Sequence, residues 1–118
     1  MSDLRLYGGA NWPTSLGRLN ASWPLGILTL AEEGMTLGVH GPIHLLAKDR
    51  TALWAEVDSV QEVVGPMFRS RGIRFRVRGE AWVFWTRQVA EVVQFCASHG
   101  VAVLDGTAKL PFSYRKWT

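Results

Sequence analysis

The side chains able to do chemistry are few, and their spacing argues against catalysis. Cys96 is the one cysteine of the 118-residue chain. It sits in the run Val89, Val92, Val93, Cys96, whose i, i+3, i+4, i+7 spacing describes the apolar stripe of a helix, so the thiol reads as a small buried hydrophobe and not a nucleophile. His40 and His44 are four apart, but Gly41-Pro42 between them breaks any shared helical face, and no cysteine or nearby carboxylate completes a metal site. His99 follows the helical stripe, where an imidazole interacts with the last carbonyls. Glu56 and Asp58 fall two apart, on one face of an extended run. There is no Gly-x-Ser-x-Gly elbow, and Gly8-Gly9 is not followed by the lysine and helix of a phosphate loop. The sequence therefore predicts no catalytic residue, no metal and no cofactor.

The arginines stand out. The net charge of +3 is modest, yet Arg69, Arg71, Arg74, Arg76, Arg78 and Arg87 face a single acid, Glu80, within nineteen residues. The rest of the chain holds seven basic and nine acidic residues. A basic patch this local points to a partner or an assembly. Arg74, Arg76 and Arg78 alternate with Ile73, Phe75 and Val77, the period of a half-buried strand. Gly79-Glu80 fits a two-residue turn and Ala81 to Trp85 the return strand, which sets Val77 against Trp82 and Phe75 against Phe84 in the core. Arg74 then lies opposite Trp85, Arg76 opposite Val83 and Arg78 opposite Ala81. Arg69, Arg71, Arg74, Arg76, Arg78, Val83 and Trp85 form the predicted binding surface. Its plainest reading is a solvated face whose arginine stems cover apolar area, with Arg74 over Trp85 as a cation–π pair. Its functional readings, in order, are a protein or homo-oligomer interface, an anionic membrane surface and single-stranded nucleic acid.

The elements that must position these groups follow from turn residues and alternation. Residues 1–24, rich in Gly, Pro and Trp, read as an extended or looped entry segment in which Asn11-Trp12-Pro13 and Ser22-Trp23-Pro24 echo each other. Proline excludes helix across both sites. Ile27 to Leu30 and Met35 to Val39 form a hairpin about Glu32-Glu33-Gly34. Ile43 to Ala47 reads as a third strand and Lys48-Asp49-Arg50 as a charged turn. Leu53 to Val57 and Val60 to Val64 are two further runs separated by Asp58-Ser59. Thr86 is the expected N-cap of the one helix and Gly100 its left-handed stop. Val101 to Leu104 reads as a final strand or packed tail, and the basic-aromatic segment with Tyr114, Arg115, Lys116 and Trp117 follows. About seven short strands and one helix predict a mainly β domain, a bent antiparallel sheet or open barrel capped by a C-terminal helix. A parallel α/β sheet is disfavoured for want of crossover helices.

This order, with Ala52-Leu53-Trp54-Ala55-Glu56-Val57-Asp58-Ser59-Val60, Gly72-Ile73-Arg74-Phe75 and Trp82-Val83-Phe84-Trp85 running into the helix, resembles bacterial pleckstrin-homology-like and GRAM-like domains over residues 25–100. The resemblance implies a seven-stranded bent sheet with a C-terminal helix, no enzymatic activity, and binding of lipids, peptides or proteins, often with self-assembly. Where that group binds phosphoinositides it uses basic residues at the first hairpin loop. Here the loop is Ala31-Glu32-Glu33-Gly34, and two carboxylates repel a phosphorylated head group.

One domain is expected, with an entry segment 1–24, a core 25–100 and a tail 101–118. Its 47% apolar content excludes a disordered chain. A single cysteine, an acidic N-terminus unlike a signal peptide and the lack of a spanning apolar run predict a cytoplasmic protein. Asn20-Ala21-Ser22 is then a chance match to a glycosylation acceptor. The expected activity is self-assembly or protein binding through the Arg/aromatic face, with peripheral binding to anionic lipid as the alternative.

Overall fold

The computed structural model describes residues 3–14, 17–40, 48–65 and 70–110. The fold is mainly β: strands β1 (Leu4–Thr14), β2 (Gly17–Leu30), β3 (Gly34–Val39), β4 (Arg50–Leu53), β5 (Val57–Val64), β6 (Arg71–Val77) and β7 (Glu80–Trp85) precede one helix, α1 (Val89–Ser98), and an eighth strand, β8 (Ala102–Lys109). They form one open sheet in the order β4-β3-β2-β1-β7-β6-β5-β8. Every neighbouring pair is antiparallel except β5 with β8. The predicted third strand, Ile43 to Ala47, lies outside the described residues.

The connection between β4 and β5 shows that this sheet is curled. The two strands are six places apart in the order, about 29 Å in a flat sheet. Yet they are joined only by the 3-10 turn Trp54–Glu56, and the four peptide steps from Leu53 to Val57 reach about 14 Å at most. Bending brings the two ends together around one core, with Trp12, Leu28, Leu37, Phe75, Trp82 and Phe84 fully buried. Helix α1 packs on β5 and β6 and adds Val89, Val92 and Cys96 to that core, as its stripe predicted.

Four local expectations are corrected. The core does not begin at Leu25: residues 4–14 are β1, a central strand between β2 and β7, and Leu6, Ala10 and Trp12 are buried. Each proline of the two Trp-Pro pairs lies in strand geometry, since extended backbone satisfies a residue that cannot be helical there. Asp58-Ser59 is no turn; β5 runs through it, taking up the extra residue as a bulge between Val57 and Ser59. The hairpin turn is Arg78-Gly79 and not Gly79-Glu80. Both residues have positive φ, 50° and 82°, the geometry whose twist matches the flanking strands. Phe75 therefore opposes Trp82 and Ile73 opposes Phe84. The slip is two residues, one full pleat, so the core face predicted from alternation is unchanged. Finally, the sheet carries a parallel pair, supplied by β8 returning along β5 after α1.

The C-terminal signal of the helix is met, with Gly100 at φ 85° just after it. The N-terminal one is corrected: the N-cap is Gln88 and not Thr86, whose hydroxyl accepts the Gln88 N–H at 3.1 Å in a turn just before the helix.

Candidate functional site

The outer face of the β7–β6 ribbon is not one continuous arginine surface. Arg69 lies outside the described residues. Arg74 donates to Gln61 Oε1 at 3.0 Å. Burial, and then the charge of Arg76, hold its guanidinium below the usual arginine range. Arg78 sits in the turn at the far end of the ribbon. There it pairs with Glu56 at 2.8 Å and lies 6.0 Å from the Trp82 ring centre. The Leu53 backbone N–H and then Arg78 hold the Glu56 carboxyl below the ordinary range. Of the predicted residues, Val83 is the one the structure removes from the surface: its exposure is 0%, because Leu110 lies against it together with Val63. Leu110, the residue just after β8, covers this face, and strand alternation alone carries no trace of such a cover.

On the same face, a polar contact joins β2 to the ribbon. Arg18 donates to Asn11 Oδ1 at 2.5 Å and to the Ala81 carbonyl, tying β2 to the far side of β7 across the buried Asn11.

Trp85 and Arg71 do meet, at one end of the ribbon. Trp85 is the last residue of β7, and its neighbours across the ladder on both sides are glycines, Gly9 of β1 and Gly72 of β6. A Cβ on Gly9 would stand 3.0 Å from Trp85 Cδ1, and one on Gly72 would stand 2.7 Å from Trp85 Cε3. The indole lies on backbone where any larger residue would lift it. It floors a groove of about 570 Å³ whose other aromatic rings are Tyr7 and Trp23. These two are strongly exposed, at 51% and 74%. Arg71 and Arg87 stand at the rim, and Ser70, Thr86 and Gln88 complete the lining. No carboxylate lies among these residues. Arg71 pairs with Glu62 at 2.5 Å, outside the groove.

A second groove of about 350 Å³ lies nearby, lined by Arg5, Thr29, Thr36, His40 and Asp49 among others. Tyr7 connects the two, its ring 6.2 Å from that of His40 and 5.8 Å from the Arg5 guanidinium. That second groove is mixed in charge and offers no large ring, so it has polar contacts but no apolar anchor.

Sequence reading missed Tyr7, Trp23 and Arg87 as parts of one site. Trp23 belonged to the segment read as an entry arm. Glycines in strands were the available signal: Gly9 and Gly72 mark places where something flat approaches the backbone.

The Cys96 thiol is buried in the core and pushed up to about 12 by desolvation. Among the described residues no three His, Cys, Asp or Glu side chains are close enough to hold a metal, and no helix is long and apolar enough to cross a membrane. Comparison of the chain with family models, with curated proteins and with solved structures finds no match.

Proposed function

We propose that this chain is a non-enzymatic, pleckstrin-homology-like interaction domain of the cytoplasm that binds a protein partner through the groove floored by Trp85. The mainly β sheet followed by one helix agrees with the coarse form the resemblance implies, and the sheet adds an eighth strand, β8, that the resemblance does not imply.

The observation that carries the functional reading is the pairing of Trp23 and Tyr7, both strongly exposed, with the half-buried Trp85 in one concave site. Exposed rings of this size, gathered and rimmed by arginine, have the composition of the energetic centre of protein interfaces.

Charge decides between a second copy and another protein. A symmetric pairing of this groove with itself would bring two copies of Arg87 together with no lining carboxylate between them, since Glu62 is already engaged with Arg71. An acidic partner has no such penalty.

A photo-crosslinking amino acid placed at Trp23 tests this reading in cells, with the exposed Asp58 position as control. The expected result is a discrete heterologous protein adduct at 23 that is absent at 58 and lost on Arg87→Glu. Adducts only to lipid, or the same adducts from both positions, overturn it. Sedimentation of the purified chain is expected to show a monomer, and a dimer broken by Trp23→Ser would instead make the partner a second copy.

A further inference from the structure

The shape and charge of the groove narrow the partner further. Resting on the protein-binding reading above, we infer that the groove takes an acidic segment of the partner that lays one aromatic side chain over Trp85 and turns an adjacent carboxylate to Arg87.

The floor sets the first requirement. Because Gly9 and Gly72 flank Trp85 on both sides, the indole lies against two strands, and it lines the groove. Rings that stack in an offset arrangement gain more than their buried area alone, whereas an aliphatic side chain gains the area only. Trp23 and Tyr7 stand beside this floor, so an inserted ring meets aromatic surface on more than one side.

The rim sets the second. Arg71 is held by Glu62, while Arg87 is exposed and, among the described residues, has no hydrogen bond or ion pair. One uncommitted guanidinium suits one carboxylate, which it can hold bidentately. A polyanion such as single-stranded nucleic acid would want a track of cations along the strand. The arginines that might extend one are instead engaged, Arg74 with Gln61 and Arg78 with Glu56.

The test is titration of the isotope-labelled chain with the blocked peptide Asp-Asp-Phe-Asp-Glu, read by the indole N–H signals of Trp85 and Trp23. Saturable shifts of both signals are expected. Leu in place of Phe, Lys in place of all four acids, Trp23→Ser and Arg87→Glu should each weaken binding at least tenfold. Both substituted positions are exposed at the groove, and the unchanged remainder of the spectrum shows that the variants are folded.

Equal binding of the Leu peptide overturns the stacked ring, and equal binding of the Lys peptide overturns the carboxylate. Shifts confined to other signals overturn the site. Tighter saturation of the same signals by oligothymidylate, or by phosphatidylserine vesicles, replaces the acidic segment with those ligands. If the peptide fails while crosslinking at Trp23 still yields a protein adduct, the partner's chemistry is wrong and the interaction domain stands. If both fail, both readings fall.

Discussion

At the scale of single residues, the site depends on what is missing beside Trp85 as much as on the ring itself. Gly72→Ala would place a Cβ 2.6 Å from the Phe84 carbonyl oxygen and 2.7 Å from the indole. The first atom is backbone and cannot swing away. We expect a loss of about 1–3 kcal/mol in denaturant unfolding, in the range for overpacking, together with displacement of the Trp85 indole N–H signal. An unchanged midpoint and signal would show that the indole is not seated as described. Cys96 provides a contrasting residue-scale expectation. With its thiol pushed up to about 12 by desolvation inside the helix stripe, a disulfide reagent at pH 8 should label it only as fast as the protein opens, and labelling should accelerate with denaturant. Rapid stoichiometric labelling of the native chain would place Cys96 outside the core.

At the scale of elements, the β6–β7 ribbon is closed at its far end by the Arg78-Gly79 turn and the Arg78–Glu56 pair. The Glu56 carboxyl is held below its ordinary range by the Leu53 N–H and by Arg78. A carboxyl lowered in the folded state binds its proton less readily there than in the unfolded chain. Its contribution to stability is therefore complete above the unfolded value, about 4.3, and is lost as pH falls through the folded one. Glu56→Gln should thus narrow the gap between stability at pH 7 and at pH 3 relative to the parent chain. Identical pH profiles would mean that the exposed pair contributes nothing, which surface ion pairs often do. The same ribbon shows how local rules fare. Alternation of Ile73, Phe75 and Val77 with arginine determined which face is buried, because the pleat has a period of two. The turn was misplaced by one residue because a left-handed arginine is a rarer choice than a left-handed glycine.

At the scale of the whole molecule, the curled sheet is held where its ends approach. Trp54, in the 3-10 turn between β4 and β5, donates its indole N–H to the Ala31 carbonyl at 2.9 Å and stacks on His99 with ring centres 5.1 Å apart. His99 in turn stacks on Phe95 of α1 at 4.8 Å. Trp54 thereby links the β2–β3 hairpin, the connection between the sheet's two halves and the end of the helix. Trp54→Ala should cost about 2–3 kcal/mol, below the range for a fully buried Trp because this one is half-exposed. Hydrogen exchange should rise in β4 and at the end of α1 together. Protection lost in the 3-10 turn alone would show that the three parts are not coupled through this ring.

The sequence by itself determined the mainly β class, the single helix with its glycine stop, the buried face of the β6–β7 ribbon and the burial of Cys96. Each of these is written in spacing over fewer than about fifteen residues, where the periods of strand and helix leave little choice. Only the tertiary structure decided that β1 is central and not an entry arm, that Leu110 covers Val83, and that Tyr7, Trp23, Trp85, Arg71 and Arg87 share a groove. Those facts join residues up to eighty positions apart through strand pairing and through the curl of the sheet. Pairing partners are chosen by the free energy of the whole core, which no local pattern records.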